Sequence, residues 1–346
     1  MAGETRYQSV TYRKVTAEEA GQRLDNYLAR VLKGVPRSLV YRILRRGEVR
    51  VNKGRASPSY KLAENDVIRI PPLRVSASSS IIPSSRLHLV SDLKSRILFE
   101  NTELLVANKP AGLASHGGSG IEFGFIEALR ALRPEQPFME LVHRLDRETS
   151  GCIIVVKRRS ALRNLHEQFR QRAVKKRYLT LVMGAWDKKQ RLIDVPLKRN
   201  ELRSGERMVQ VNYRDGMPSA TGFEVVEELP GATLLAALPH TGRTHQIRVH
   251  CAYVRHPVGG DEKYGSREFN ARLREAGLHR MFLHASRISF VNPADGEVLK
   301  VEAPLPVELG EVLAVLRRQK AAPGAAAETS VEVGGESADD VRSPDY

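Results

Sequence analysis

The stretch "PPLRVSASSSIIPSSRLHL", from Pro71 to Leu89, sets the first limit on what this chain can fold into. It is rich in Ser and Pro and has no apolar period, so neither a helix nor a strand pattern runs through it. It reads as a linker, and the residues on its two sides must build separate cores. At 346 residues with 41% hydrophobic content, the chain is long enough for roughly two domains of ~150 residues and apolar enough to fill them. The expected division is a flexible start at 1–16, a small domain at 17–75, the linker at 76–93, a larger domain at 94–320 and a disordered tail at 321–346, poor in large apolar residues.

In the small domain, "TAEEAGQRLDNYLARVL" predicts an amphipathic helix, with Leu24, Tyr27, Leu28, Val31 and Leu32 on one face. Thr16 is its expected N-cap with Glu19 three positions on, and Gly34 and Pro36 stop it. "RSLVYRILRRG" predicts a second, shorter helix that buries Leu39, Val40, Ile43 and Leu44 and ends at Gly47. "EVRVNKGRASPSYKLAENDVIRI" predicts short strands around turns.

Charge is concentrated in the same region. From Arg23 to Arg55 there are ten positive residues against two negative ones, more than half of the chain's net +15 in about a tenth of its length. Arg37, Arg42, Arg45, Arg46, Arg50 and Lys53 belong to this set. Crowding of one sign on the polar side of a helix is self-repelling without an anion, and a phosphate backbone is the favoured partner.

The larger domain mixes its elements. "ILFENTELLVANK", "GCIIVVK", "RYLTLVMG", "RMVQVNY", "TGFEVVEEL" and "TLLAAL" predict strands; "FGFIEALRAL", "SALRNLHEQFRQRAV" and "PVELGEVLAVLRR" predict helices. Strands often follow one another with no helix between, which favours an α+β domain with antiparallel pairing over a doubly wound sheet. No glycine-rich dinucleotide loop and no GxxxxGK[ST] is present. The two cysteines, Cys152 and Cys251, lie among apolar neighbours without CxxC spacing, so no disulfide framework or cysteine zinc site is implied. The start lacks a signal-type apolar core and no apolar run approaches ~20 residues, so a soluble, cytoplasmic chain is expected.

Chemistry is concentrated in "LVHRLDRETSGCIIVV", where Asp146 lies between Arg144 and Arg147 ahead of an apolar run. Three readings compete: a solvated ion pair on a loop, a hydrolase triad of His143, Asp146 and Ser150, and an acid kept ionised by arginine to act as a nucleophile. The hydrolase reading lacks a GxSxG elbow, since Thr149 precedes Ser150. A metal reading would use His240, His245, His250 and His256, but Arg243 and Arg248 among them would repel a cation. In "HTGRTHQIRVHCAYV", Ile247, Cys251 and Val254 fall at helical spacing, which places Arg248 beside an apolar face. From there it either reaches a carboxylate in a cleft or forms a salt bridge that only fixes the fold.

Four ordered segments carry a resemblance that narrows these readings. "ILFENTELLVANKPAGLASHGG", "HRLDRETSG", "KKRYLTLVMG" and "TGRTHQIRVHCAYVRHPVGGDEKYG" resemble the motifs of the RluA-type pseudouridine synthases, and residues 20 to 70 resemble an S4 RNA-binding domain. One departure is Gly259, which stands where that family more often has a larger residue before Gly-Asp; it is expected to affect packing more than chemistry.

The resemblance implies a pseudouridine synthase catalytic domain with a mixed, largely antiparallel sheet and a central cleft, acting on 23S ribosomal RNA as a monomer, without cofactor, metal or membrane. Alternatives are another rRNA or tRNA site, or a catalytically silent RNA-binding protein. It implies that Asp146 is the nucleophile, that Arg248 pairs with it, and that Leu145 and Ile247 wall the pocket. It also implies that Tyr178 packs on the uracil and serves as the base for the C5 proton. His143, Arg144, Arg147, Lys109 and Arg243 are expected to grip phosphates around a flipped nucleotide.

Overall fold

The computed structural model describes residues 9–32, 35, 37–73, 88–117, 123–201 and 207–321. Most of the expected linker and nearly all of the expected tail lie outside these, as does the side chain of Arg37. The chain divides into two compact units, Met1–Ser84 with Gly118–Phe123, and Ser85–Gly117 with Gly124–Tyr346.

The first unit contains β1 (Thr11–Lys14), α1 (Leu24–Val31), α2 (Arg37–Arg45), β2 (Arg50–Val51), β3 (Gly54–Arg55) and β4 (Val67–Ile70), with its strands in the order β1-β4-β2-β3. Leu24, Tyr27, Leu28, Val40, Ile43 and Leu44 from the helices meet Val51, Ile68 and Ile70 from the sheet in one core. Two expectations need correction here. The helix begins at Leu24 and not at Thr16, because residues 17–21 form a turn in which the Thr16 N–H donates to the Glu19 carboxylate. The start is not wholly flexible either: β1 pairs antiparallel with β4 along Thr11–Lys14, a ladder that backbone groups make whatever the side-chain polarity.

The second unit contains α3 (His88–Asp92), β5 (Ile97–Glu100), β6 (Leu104–Lys109), α4 (Phe125–Leu132), β7 (Glu140–Leu141), β8 (Ser150–Val156), α5 (Arg159–Arg170) and β9 (Lys175–Met183). It continues with β10 (Leu192–Asp194), β11 (Leu197–Glu201), β12 (Arg207–Val211), β13 (Ala220–Leu229), β14 (Ala232–Pro239), α6 (Gln246–Tyr253), α7 (Arg267–Glu275), β15 (Leu283–Val291), β16 (Val298–Glu302) and α8 (Val307–Ala321). The helix α3 falls inside the expected linker, where Val90 and Leu93 are buried and give that end a reason to fold.

The main sheet runs β10-β13-β14-β9-β15-β8-β6-β5, with β16 on β15 and β7 on β8. Its pairs are antiparallel except for β8 with β15. The class is therefore α+β on a mixed, largely antiparallel sheet. Every residue of β8 is buried, which is why its apolar pattern runs without alternation. Gly151 lets β8 and β15 approach: its φ is +111°, and a Cβ there would lie 2.3 Å from the Ala285 carbonyl oxygen. At Gly259 a Cβ would meet Leu273 Cδ1 at 2.5 Å, so the neighbouring leucine already fills the space a larger residue would take.

Candidate active site

The loop ahead of β8 is fixed from three sides. Ser115 Oγ accepts the Leu145 N–H at 3.0 Å and donates to the Leu145 carbonyl at 2.6 Å, locking the residue before Asp146. Lys109 is fully buried and directs its Nζ at the carbonyls of Pro110, Leu113 and Arg147, at 2.8, 2.7 and 3.2 Å. These use all three donors of an ammonium group. On the other side Arg280 Nη2 donates to Ser150 Oγ at 2.7 Å, and Ser150 Oγ lies 2.9 Å from His284 Nδ1.

Asp146 itself is left partly open, 29% exposed, with Arg248 Nη1 at 3.4 Å from its Oδ2. Arg248 is held more firmly elsewhere. Its Nε and Nη2 donate to the two oxygens of Asp261 at 2.7 and 2.8 Å, a bidentate pair in which Asp261 is 0% and Arg248 11% exposed. Asp261 also accepts the N–H groups of Lys263 and Tyr264. Burial alone would raise the Asp261 pKa, but the bonds and charge of Arg248 outweigh it and hold the carboxyl below its ordinary value. Burial likewise opposes the charge on Arg248, yet Asp261 and Asp146 together keep its pKa raised. The guanidinium is thus a fixed cation presented to Asp146.

The helix that carries Arg248 is set in place by Gln246, whose Oε1 accepts from Thr241 Oγ1 and the Arg243 N–H while its Nε2 donates to the Ala220 carbonyl and Thr221 Oγ1. Ile247 and Cys251 on its apolar side join a core cluster against which Tyr178 of β9 packs. Leu145 and Ile247 are both 6% exposed, so each is available as a wall more than as a floor open to solvent. Burial, then the Asp146 charge, raises the Tyr178 pKa, which works against the tyrosinate that the expected base would need.

Two expected phosphate ligands are also corrected. Lys109 is bound to the protein's own carbonyls and is inaccessible, and burial pushes its pKa down to about 7. His143 accepts the Ile154 N–H on Nε2 and packs its ring on Phe169, and burial, then the charge of Lys176, pushes it down to about 3. It is a neutral structural group. Arg144, Arg147 and Arg243 are exposed, although Arg147 and Arg243 each donate one Nε to a carbonyl, of Gly112 and Pro218. Ser150, His143 and Asp146 form no triad, since Ser150 turns to His284. Among the described residues no cluster of three or more His, Cys, Asp or Glu is placed to hold a metal ion.

Three residues close to the site were not singled out in the sequence: Asp261, Tyr264 and, in this role, His245. The signal for Asp261 was the preceding glycine. Gly260 has φ +72° and a Cβ there would lie 2.0 Å from the Arg280 carbonyl oxygen, so the chain turns tightly just before the acid.

In the first unit, Arg42, Arg45, Arg46 and Lys53 are exposed and Arg50 is half-buried. Arg50 stands opposite Arg55 on one side and Arg69 on the other, a row of like charges across three strands. Directly opposed like charges destabilise a sheet, and an anion laid across them relieves the repulsion.

A family model described as RNA pseudouridylate synthase matches residues 103–253, an interval that contains Asp146, Tyr178 and Arg248, and an S4 domain model matches residues 22–68. A protein from Pasteurella multocida named ribosomal large subunit pseudouridine synthase C is 54% identical over 313 residues, covering 90% of this chain and 96% of its own length. The Escherichia coli K12 protein of the same name is 52% identical over 319 residues, covering 92% and 100%. Among solved structures, human RNA pseudouridylate synthase domain containing 1 is 30% identical with a TM-score of 0.50, covering 61% of this chain and 83% of its own. Human RNA pseudouridylate synthase domain containing 4, at 24% identity and a TM-score of 0.55 over 66% and 95%, is alike in fold. No helix among the described residues is long and apolar enough to cross a membrane.

Proposed function

The chain belongs to the RNA pseudouridylate synthase family and is an isomerase of that kind, and from this premise we propose that it converts uridines of 23S ribosomal RNA to pseudouridine with Asp146 as nucleophile. The observation that carries the assignment of Asp146 is its open carboxylate beside Arg248, a buried cation that Asp261 holds in a fixed pose. The relatives named for the large ribosomal subunit support the choice of RNA.

The reaction breaks the bond from uracil N1 to ribose C1′ and forms one from C5 to C1′. The C5 proton leaves, N1 gains one, and no electrons are gained or lost overall. Asp146 either displaces the uracil from C1′, the N1–C1′ pair leaving with the base, or adds to C6 with the C5=C6 π pair moving onto the uracil, and it is later expelled with its own electron pair. Arg248 holds the carboxylate in place through Nη1. Tyr178 packs on the ring with Ile247 and Leu145 as apolar walls. Flipping a base from folded RNA costs roughly a few kcal/mol, and exposed Arg144, Arg147 and Arg243 offset this through phosphates.

The S4 domain adds affinity through its arginines with little sequence reading, leaving selection to RNA shape. Asp146, Arg248 and Asp261 come from one chain, so the proposed site needs no second copy and a monomer suffices as the working form. Its place of work is the cytoplasm, with the ribosomal RNA.

Pseudouridines in 23S rRNA from a strain lacking the gene, mapped by carbodiimide labelling and primer extension, test this reading. A subset of sites should vanish, return with the wild-type gene and stay absent with Asp146→Asn. Survival of every site in the deletion strain would refute the choice of substrate; recovery with Asp146→Asn would refute the nucleophile.

A further inference from the structure

Asp146 faces a second nitrogen besides that of Arg248. His245 Nε2 lies 3.9 Å from the same Oδ2. His245 precedes α6 with φ 53° and ψ 19°, a left-handed conformation uncommon outside glycine and one in which histidine is enriched with asparagine and aspartate. Nδ1 is 2.8 Å from the Tyr264 hydroxyl, and that oxygen accepts the Val209 N–H at 2.9 Å, so the imidazole is anchored to β12 through Tyr264. The two rings also meet edge-on at 5.5 Å.

Burial lowers the His245 pKa against the pull of the Asp146 charge. The tautomer with its proton on Nε2 accepts the Tyr264 O–H on Nδ1 and directs Nε2–H at Asp146, whereas the opposite tautomer would set the Nε2 lone pair against a carboxylate oxygen.

We propose that His245 is a further catalytic residue, whose Nε2–H and the Arg248 Nη1–H both hold Oδ2 of Asp146 and leave Oδ1 as the attacking oxygen. This rests on the reading of Asp146 as nucleophile. Oδ1 forms its bond to carbon with its own electron pair while the bond it displaces gives its pair to the uracil, N1–C1′ for attack at the ribose or the C5=C6 π bond for attack at the base, and Oδ2 becomes the carbonyl oxygen of the adduct. When that bond breaks, the pair returns to the carboxylate and its charge again falls on the two donors. No proton leaves His245. The 3.9 Å separation is longer than a hydrogen bond, so the role proposed for Nε2–H requires the two groups to draw together when substrate excludes water from the carboxylate.

The full-length chain with His245→Ala, His245→Gln, Tyr264→Phe and Asp146→Asn, assayed on transcribed 23S rRNA by tritium release from C5-labelled uridine, tests the proposal. Charge returns to the carboxylate as the adduct breaks, and a donor placed where such charge develops is worth about 10²- to 10³-fold in rate. His245→Ala should therefore lower kcat by about that factor at little change in KM. His245→Gln, which offers an N–H near the same place, should recover much of it at a melting temperature no higher than that of the Ala variant. Tyr264→Phe should cost less than His245→Ala. An Ala variant with wild-type kcat, a loss confined to KM, or a Gln variant as slow as Ala would overturn the proposal. If those results come with an inactive Asp146→Asn, only the histidine role falls; an active Asp146→Asn removes the nucleophile and this inference with it.

Discussion

Replacing Asp261 with alanine takes away the acceptor of four hydrogen bonds, two from Arg248 and two from the N–H groups of Lys263 and Tyr264. The carboxylate is 0% exposed and the guanidinium 11%, so solvent cannot replace what is removed. Taking away one partner of a buried ion pair costs about 3–5 kcal/mol, because the other charge stays buried. For a unit of this size that lowers the melting temperature by about 10 °C. Asp261→Asn keeps an acceptor for the two backbone N–H groups and should fall between alanine and wild type.

The pH dependence has a definite sign. The folded Asp261 pKa lies below that of the unfolded chain, so its contribution is complete above the unfolded value near ~3.9 and fades as pH falls through the lower folded value. Wild-type and alanine melting curves, recorded by scanning calorimetry, should be well separated at neutral pH and draw together in acid. Turnover should fall as well, since Arg248 loses the bidentate anchor that keeps only Nη1 on Asp146. An alanine variant that melts within about 2 °C of wild type at neutral pH would refute the account of Arg248 as a cation fixed by Asp261.

Lys109→Met should destabilise the protein by about 2–4 kcal/mol through three carbonyls left without a donor, and leave RNA affinity in a filter-binding assay unchanged. With a folded pKa of about 7 against 10.5 unfolded, the folded chain releases this proton first, so wild-type stability from this group rises with pH across that window and the Met variant should lack the rise. In the S4 domain, an Arg45→Ala, Arg46→Ala, Arg50→Ala triple variant should bind 23S rRNA more weakly and with a shallower salt dependence, by roughly one unit of slope for each phosphate no longer neutralised. Turnover at saturating RNA should hold. A salt slope equal to that of wild type would place the RNA on another surface.

What was legible in the sequence followed local periodicity. The run "CIIVV" announced β8 because both faces of that strand are covered, and Ile247, Cys251 and Val254 announced α6 because one side packs on the core. The central strand β15 escaped because it carries His284, Ser286 and Arg287, which read as polar loop. The two buried ones are tolerated within the sheet because the structure pairs them, His284 with Ser150 and the Ala303 carbonyl and Ser286 with the Arg177 carbonyl, while Arg287 is exposed and pairs with Glu302 at the surface. Pattern reading assigns polarity to a residue by itself, whereas burial depends on a partner that lies far along the chain.

The same limit explains which charges were misjudged at the site. Lys109 and the S4 arginines are equally basic in the sequence, yet Lys109 closes on three carbonyls of its own loops while Arg50 stands between Arg55 and Arg69. A cation whose donors are all satisfied inside the protein has nothing left for RNA; cations stacked against one another are stabilised by it. Asp146 and Asp261 divide in the same way. Both meet Arg248, but Asp261 takes the short bidentate bonds and complete burial, and so serves as the structural counter-ion. Asp146 is left with the longer bond and a face toward solvent, the weaker hold that the nucleophile role proposed for it requires. A nucleophile paired as tightly as Asp261 would have to break its own ion pair before it could react.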